Sequence, residues 1–147
     1  MKIWVDADAC PRVIKEILYR AADRKKVMVT LVSNQYLQVP KSKYINSIQV
    51  PGGPDIADDY IAAQIEKGDL VITADIPFAA IIVKKGGSAL NPRGQFYDKE
   101  NIQQILTMRN LMDELRSTGI ETGGPDSFKQ SDRQNFANRL DQFLILC

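Results

Sequence analysis

Short apolar segments rich in β-branched residues alternate along this chain with stretches of helical periodicity. The pattern predicts strands at residues 3–5, 27–32, 45–50, 70–74 and, as a short fifth one, 88–91. Between them we expect a helix that begins at Pro11, one that runs from an N-cap at Asp55 to Gly68, and one that ends before Gly86. Strands that alternate with helices of this length favour a parallel sheet covered on both faces. We therefore predict an α/β fold, a three-layer sandwich with a mainly parallel central sheet of about four to five strands.

The last third of the chain shows a different pattern, with two helices predicted at residues 99–117 and 131–146. Residues 98–147 are then a helical extension of a single domain that spans 1–147. The final helix is amphipathic, so we expect it to pack back on the domain, and a contact in a homodimer is the alternative. The tetrapeptide GGPD occurs at 52–55 and again at 123–126, and we interpret both copies as a turn followed by a helix N-cap.

The composition excludes several classes of catalyst. The chain has no histidine, which excludes Ser-His-Asp and Cys-His catalysis and histidine-ligated metals. Its two cysteines, Cys10 and Cys147, stand at opposite ends of the chain, which excludes a cysteine-rich zinc site. Cys10 is expected to be a small buried filler, and some thiolate character near a helix N-terminus is the alternative. Catalysis would therefore depend on the 18 Asp and Glu residues.

Charge and hydropathy narrow the choice of partners. The 19 Lys and Arg residues leave a net charge of +1, so the chain has no overall basic signature for nucleic acid, although a local basic patch is compatible with this balance. No apolar run reaches the ~18 residues that a membrane span needs. We expect a cytoplasmic protein with no membrane partner.

Aspartates follow two of the predicted strands at the point where each strand ends. Asp6 and Asp8 follow the first strand, and Asp75 follows the fourth. Ligands of a parallel sheet bind outside the carboxyl ends of its strands, so these carboxylates converge on one crevice if the two strands are neighbours. Like charges at about 4 Å repel by several kcal/mol at intermediate dielectric, which favours a bound cation. Oxygen ligands without His or Cys suit Mg²⁺ or Mn²⁺.

The helix that follows Gly53 adds two more acids. At about 100° per residue, Asp58 falls on the same stripe as Ile61 and Ile65, whereas Asp59 lies at the edge of that stripe. We therefore expect Asp58 to face the sheet near the crevice and Asp59 to flank it.

Each of the other candidates has a structural alternative. Asp8 stands where it could cap the helix that begins at Pro11, and Asp55 is favoured as a cap over a ligand. Asn34, at the end of the second strand, either orients a ligand or makes a turn. Arg93, in LNPRG, either contacts a phosphate or forms a surface ion pair. A functional role is favoured where several acids converge on one edge of the sheet, because a cap, a turn or a surface ion pair does not require that convergence.

Five stretches of the chain carry a resemblance to a known family: VDADACP, GGPDIADDYIA, VITADIPFA, LNPRG and the late GGPDSF with DRQNFANRLD. They resemble the YaiI/YqxD family of small bacterial proteins, which is functionally uncharacterised, and the likeness covers essentially the whole chain. That family is similar to PIN-like domains, whose members include metal-dependent RNA and DNA nucleases.

The PIN-like resemblance implies a metal site made of three parts: an Asp that ends the first strand, an acid on a middle helix, and a T-x-D that ends the fourth strand. Asp6 and Asp75 match the first and last parts, and Asp58 is the better match on the helix, with Asp59 as the alternative. Asp8 has no fixed counterpart. The two C-terminal helices lie outside the PIN-like pattern, so the resemblance does not settle the substrate.

The sequence leaves three functions open. The first is a nuclease for RNA in which Asp6, Asp58 and Asp75 hold Mg²⁺ or Mn²⁺ and Asp8 or Asp59 assists. The second is a non-catalytic module that binds metal, nucleotide or RNA in the acidic crevice. The third is a phosphatase of the haloacid dehalogenase type, because an apolar strand followed by D-x-D is also that family's signature; Asp6 would then be the nucleophile and Asp8 the general acid. The D-x-x-x-D expected after the fourth strand of such a phosphatase is absent from the sequence.

Overall fold

A central sheet with helices on both faces forms the frame of the molecule. The computed structural model of the chain describes residues 1–119 and 127–146. Within them the strands β1 to β6 are Lys2–Asp6, Met28–Ser33, Ile45–Gln49, Leu70–Ile72, Ser88–Leu90 and Phe96–Tyr97. Their order is β3-β2-β1-β4-β5-β6; β6 is antiparallel to β5 and the other pairs are parallel. The predicted α/β class and the mainly parallel sheet are confirmed.

Helices cover both faces of this sheet. The described residues form the helices α1 to α5, which are Arg12–Lys25, Ile56–Gln64, Ile76–Lys84, Ile102–Ser117 and Gln130–Leu146, and a short 3₁₀ turn, Ala7–Ala9. α1 and α5 pack on one face of the sheet, and α2, α3 and α4 pack on the other. None of the described helices is long and apolar enough to cross a membrane.

β1 contributes to the cores on both faces because its side chains alternate between them. Ile3 and Val5 are fully buried in the core formed with α1 and α5, whereas Trp4 packs on the opposite face with residues of α2 and α3. Full burial of an aliphatic side chain of this size stabilises the fold by about 1.5–3 kcal/mol. The central strand is therefore held from both sides, which fixes the position of the residues at its carboxyl end.

The C-terminal helix packs back on the domain, as its amphipathic pattern predicts. Phe136 and Leu140 are fully buried in the same core as residues of α1, and Asp141 forms an exposed ion pair of 2.8 Å with Arg24. The second GGPD, at 123–126, and Cys147 lie outside the described residues.

β1 and β4 are neighbours, and the chain adds the later strands on opposite sides of this pair, first beside β1 and then beside β4. Ile3 pairs with Leu70 and Val5 pairs with Ile72, in parallel register. β2 and β3 lie on one side of this pair, and β5 and β6 lie on the other. Such a switch point leaves a crevice at the carboxyl ends of the two strands, where open α/β sheets bind their ligands.

Several boundaries differ from the prediction. β4 ends at Ile72 rather than at residue 74, and α2 ends at Gln64 rather than at Gly68 because the backbone of Ile65 is extended, with ψ 150°. The sheet also has a strand that the sequence pattern does not predict, Phe96–Tyr97, since two residues are too few to show any periodicity.

The predicted N-cap position of Asp55 is confirmed, the alternative of Asp8 as the cap of α1 is wrong, and Asp75 caps α3. Asp55 occupies the N-cap position of α2, but its φ is 62°, in the left-handed region, and its side chain makes no capping hydrogen bond. Asp8 lies in the 3₁₀ turn, and the N-cap of α1 is Pro11. Asp75 is the N-cap of α3, and its Oδ1 accepts the backbone N–H of Phe78 at 3.1 Å.

Candidate functional site

Thr73 joins the ends of β1 and β4 through its side chain. Its hydroxyl donates to Oδ2 of Asp6 at 3.3 Å and accepts the backbone N–H of Asp75 at 3.1 Å. Thr73 is only 2% exposed, so the hydroxyl group that makes both bonds is itself buried. Asp6 and Asp75 are thereby brought to the same edge of the sheet, as expected for neighbouring strands.

α2 adds Asp58 to the same crevice. Asp58 is half-buried and Asp59 is exposed, as the helical stripe predicts. Burial raises the pKa of Asp58 to about 7, and the negative charges of Asp6 and Asp75 contribute to the rise, with smaller contributions from the other aspartates of α2. In the absence of a cation, this carboxyl group is therefore partly protonated near neutral pH.

The carboxyl group of Asp6 experiences the same repulsion. Burial raises its pKa, the hydrogen bond from Thr73 opposes that rise, and the charges of Asp8 and Asp75 add to it. The Lys and Arg side chains of the described residues do not offset the shift of either Asp6 or Asp58. The crevice therefore holds negative charge that a bound cation would stabilise.

The donors of this cluster suit a hard divalent cation, because Mg²⁺ and Mn²⁺ prefer carboxylate oxygens. In the described part of the chain, however, no three acidic or cysteine side chains stand close enough together to hold one ion. Asp6, Asp58 and Asp75 thus interact electrostatically at a spacing wider than that of a closed coordination sphere. A metal site at this edge requires the three carboxylates to draw together around the ion.

Asp8 connects the crevice to the end of β2. Its Oδ2 accepts the backbone N–H of Asn34 at 2.7 Å, and the backbone carbonyl of Asn34 accepts a hydrogen bond of 3.4 Å from Gln49. The side-chain Oδ1 of Asn34 is buried and has no hydrogen-bond partner among the described residues. A buried acceptor without a donor costs about 1–3 kcal/mol, so a ligand donor or a cation would be favourable at this oxygen. A bend after β2 also begins at Asn34, where the sequence gives a turn as the alternative role of this residue.

Arg93, in the loop after β5, forms an ion pair with the C-terminal helix. Its Nη1 lies 3.0 Å from Oδ2 of Asp132, and its guanidinium carbon lies 5.8 Å from the ring centroid of Phe128. The ion-pair alternative for Arg93 is therefore confirmed. Contact between Arg93 and a phosphate stays a prediction.

Cys10 is a buried filler rather than a reactive thiol. Its side chain is buried, and this burial raises the pKa of the thiol to about 12. A group with this pKa holds almost no thiolate at neutral pH, so the alternative of thiolate character is wrong.

The roles of two polar residues are not evident from the sequence. The hydroxyl bridge of Thr73 could have been inferred only from its position two residues before Asp75. Asp69, 3% exposed, lies at the amino end of β4, at the edge of the sheet opposite the crevice. Its only signal in the sequence is a charge directly before an apolar strand, which is equally typical of a surface turn.

The chain is similar over almost its whole length to one group of bacterial proteins. The family described as "Uncharacterized BCR, YaiI/YqxD family" matches residues 4–145. A UPF0178 protein of Herminiimonas arsenicoxydans is 62% identical over 144 residues, which are 98% of this chain and 97% of that protein. UPF0178 proteins of Dechloromonas aromatica and Yersinia pestis are 60% and 59% identical over 98% of this chain, and the matches cover 96% and 95% of those proteins. No solved structure matches the chain. The protein therefore belongs to the YaiI/YqxD family of uncharacterised proteins.

Proposed function

We propose that this protein is a divalent-metal-dependent nuclease that acts on RNA. The observation that supports this most directly is the grouping of Asp6, Asp58 and Asp75 at the switch point of the sheet, where burial and the two neighbouring carboxylates raise the pKa of Asp58 to about 7. A Mg²⁺ or Mn²⁺ ion bound there would supply an activated water and neutralise charge on a phosphate. The resemblance to PIN-like domains points to the same chemistry.

The carboxylates have different roles in this proposal. Asp6 and Asp75 each have one oxygen in a local hydrogen bond, which orients the side chain. Asp58 extends from α2, and its carboxyl group would ionise if a cation bound beside it, because a neighbouring positive charge lowers the pKa of a carboxyl group. Asp8 and Asp59 are both exposed, and they can orient a water or the substrate at the rim of the crevice.

Cleavage of a fluorescent single-stranded RNA tests the proposal. We expect cleavage in Mg²⁺ or Mn²⁺ and none in EDTA, and we expect Asp6→Asn to lower the rate at least about 100-fold. Mg²⁺ should also raise the melting temperature of the wild-type protein more than that of Asp6→Asn, because ligand that binds the folded state stabilises it. The melting temperature reports binding independently of activity.

Glu100→Gln is the matched control for Asp6→Asn. Glu100 is exposed and follows β6, which runs back from the edge that holds the crevice, so the substitution removes one negative charge at the opposite edge of the sheet. Glu100→Gln should cleave RNA at the wild-type rate, and Mg²⁺ should raise its melting temperature as much as it raises that of the wild type. Wild-type cleavage by a folded Asp6→Asn protein, judged by circular dichroism, would contradict the proposal.

The wide spacing of the carboxylates among the described residues favours a second candidate, a module that binds metal, nucleotide or RNA without cleaving it. The same two measurements separate the candidates. A Mg²⁺-dependent rise in melting temperature that Asp6→Asn abolishes, without cleavage of any RNA probe, would support the binding module.

A further inference from the structure

A polar cleft of about 890 Å³ lies beside the edge strand β6. The loop between β5 and β6 contributes Asn91, Arg93 and Gln95 to its lining, β6 contributes the buried Tyr97, and α4 contributes Ile105. One side of α5 forms the remaining wall. The volume falls within the range of about 300–1,000 Å³ that is usual for ligand pockets.

Contact between two motifs that are remote in the sequence builds this cleft. Arg93, from LNPRG, is paired with Asp132, from DRQNFANRLD, at 3.0 Å. Gly94 packs so closely on α5 that an added Cβ would lie 2.8 Å from the backbone carbonyl carbon of Asn135. The loop is therefore fixed against the first turns of α5, and the cleft is organised before any ligand binds.

The cleft begins one strand away from the carboxylates of the crevice. The backbone N–H of Thr73 donates to the carbonyl of Leu90 at 3.1 Å, and the hydroxyl of the same residue donates to Asp6 at 3.3 Å. Asn91, which follows Leu90, already lines the cleft. The end of the cleft that the loop forms therefore lies at the same carboxyl edge of the sheet as Asp6. An extended ligand that leaves the cleft at this end would run toward Asp6.

The wall on α5 is a polar stripe. Asn135, Asn138, Arg139 and Gln142 recur there at helical spacing, and all four are exposed. No Asp or Glu lines the cleft in the part of the chain that the structure describes. Arg139 forms no ion pair with any described residue. The carboxylate of Asp132, beside the cleft, is paired with Arg93, so its charge is offset. Arg139 thus stands among side-chain amides, an arrangement that suits a ligand with both phosphate and hydrogen-bonding groups.

We propose that this cleft binds a segment of single-stranded RNA next to the carboxylates. The inference rests on the proposed function and names the surface that holds the substrate. Arg139 contacts a backbone phosphate, and the amides of Asn135 and Gln142, which both donate and accept, bind the edges of unpaired bases. Bases in a duplex are already paired, and the deep major groove of an RNA helix is out of reach of side chains, so the amide wall selects a single strand.

Fluorescence anisotropy of a labelled single-stranded oligoribonucleotide with the full-length protein, in EDTA, tests this inference without cleavage. We expect Arg139→Ala to weaken binding at least about fivefold and to reduce the slope of log K against log salt concentration by about 0.7, the value for one phosphate contact on a single strand. Gln142→Ala should weaken binding without changing that slope, because its side chain carries no charge. Both residues are exposed, so both variants are expected to fold.

Arg133→Ala is the matched control, since it removes the same charge from the same helix. Arg133 is exposed on the side of α5 that faces α1 and does not line the cleft. The affinity of the Arg133→Ala protein for the oligoribonucleotide should stay within about twofold of the wild-type affinity. Equal weakening by Arg133→Ala and Arg139→Ala, tighter binding of a duplex than of the single strand, or no binding by the wild type would overturn the inference.

The outcomes separate this inference from the proposed function. Loss of RNA binding in Arg139→Ala, in a protein that cleaves no RNA, would support the cleft and contradict the nuclease. Cleavage with an unchanged KM in Arg139→Ala would support the nuclease and overturn the cleft.

Discussion

The carboxylate of Asp69 accepts the indole N–H of Trp4 at 3.2 Å across the amino ends of β4 and β1. The same side chain accepts the backbone N–H groups of Lys2 at 3.0 Å and of Glu66 at 2.9 Å. Only 3% of its surface is exposed. Two aspartates therefore link these strands from opposite edges of the sheet, Asp69 at the amino ends and Asp6 at the carboxyl ends.

Asp69→Asn should lower the free energy of unfolding by about 2–3 kcal/mol, because an amide offers one acceptor oxygen to three donors and a buried unpaired N–H group costs about 1–3 kcal/mol. Urea unfolding followed by circular dichroism measures this change. Under the proposed function, RNA cleavage well below the melting temperature should persist, because Asp69 lies at the edge of the sheet opposite the crevice.

Glu66→Gln provides the control for Asp69→Asn. Glu66 is exposed in the same turn, and its substitution removes one negative charge while its backbone N–H still reaches Asp69. We expect a change within about 0.5 kcal/mol. A loss of stability as large as that of Asp69→Asn would show that the charge of the turn, and not the acceptor geometry of Asp69, is what stabilises the fold.

The ionisation of Asp58 should make the metal-free protein less stable as the pH rises. Its pKa in the folded protein is about 7, against an ordinary value of 3.8, so the folded state binds this proton more tightly than the unfolded chain does. The resulting stabilisation is complete below the ordinary value and is lost as the pH rises through about 7. Asp58→Asn has no carboxylate to ionise, so its melting temperature in EDTA should exceed that of the wild type at pH 8, and by less at pH 5.

Asp59→Asn is the matched control for the pH experiment, because it removes the same charge from the next, exposed position of α2. At pH 8, Asp59→Asn should raise the melting temperature by less than Asp58→Asn does. If Asp58→Asn gave the same gain at pH 5 as at pH 8, the carboxyl group of Asp58 would not be the group that titrates. Under the proposed function, Mg²⁺ at pH 8 should narrow the difference between wild type and Asp58→Asn, since the cation relieves the same repulsion.

The grouping of Asp6, Asp58 and Asp75 could be anticipated from the sequence because it depends on local patterns. Alternating apolar segments indicate a parallel sheet, an acid directly after a strand lies at the carboxyl edge, and helical spacing turns Asp58 rather than Asp59 toward the sheet. The neighbouring positions of β1 and β4 follow from the usual switch point of such folds. What the sequence could not supply is the distance between the carboxylates, which depends on how α2 packs.

Contacts between remote segments, and backbone angles set by packing, were not predictable. Asp55 and Asp75 both stand at a helix start, yet only Asp75 has the extended backbone that lets its side chain cap the helix, whereas Asp55 has φ 62°. The pairing of Arg93 with Asp132 likewise depends on where the C-terminal helix docks. Residue type alone does not distinguish these cases.

Gly94 should tolerate a side chain less well than another glycine of similar backbone conformation. Gly94 has φ +92° and Gly68 has φ +91°, so alanine is strained at both positions, at a cost of about 1–2 kcal/mol. An added Cβ at Gly68 meets nothing within 4 Å, whereas at Gly94 it meets the backbone of Asn135 at 2.8 Å. Gly94→Ala should therefore lower the free energy of unfolding by about 1–3 kcal/mol more than Gly68→Ala, as urea unfolding can measure.

The same pair of variants tests whether the cleft depends on the contact between the loop and α5. In Gly94→Ala the loop must move away from Asn135, which shifts the residues that line the cleft, so binding of single-stranded RNA should weaken. Gly68 lies at the amino edge of β4, and Gly68→Ala should bind RNA as the wild type does. Equal losses of stability in the two variants would show that backbone strain accounts for the whole effect. The loop would then accommodate a methyl group without further cost, and its contact with α5 would not be what holds the cleft rigid.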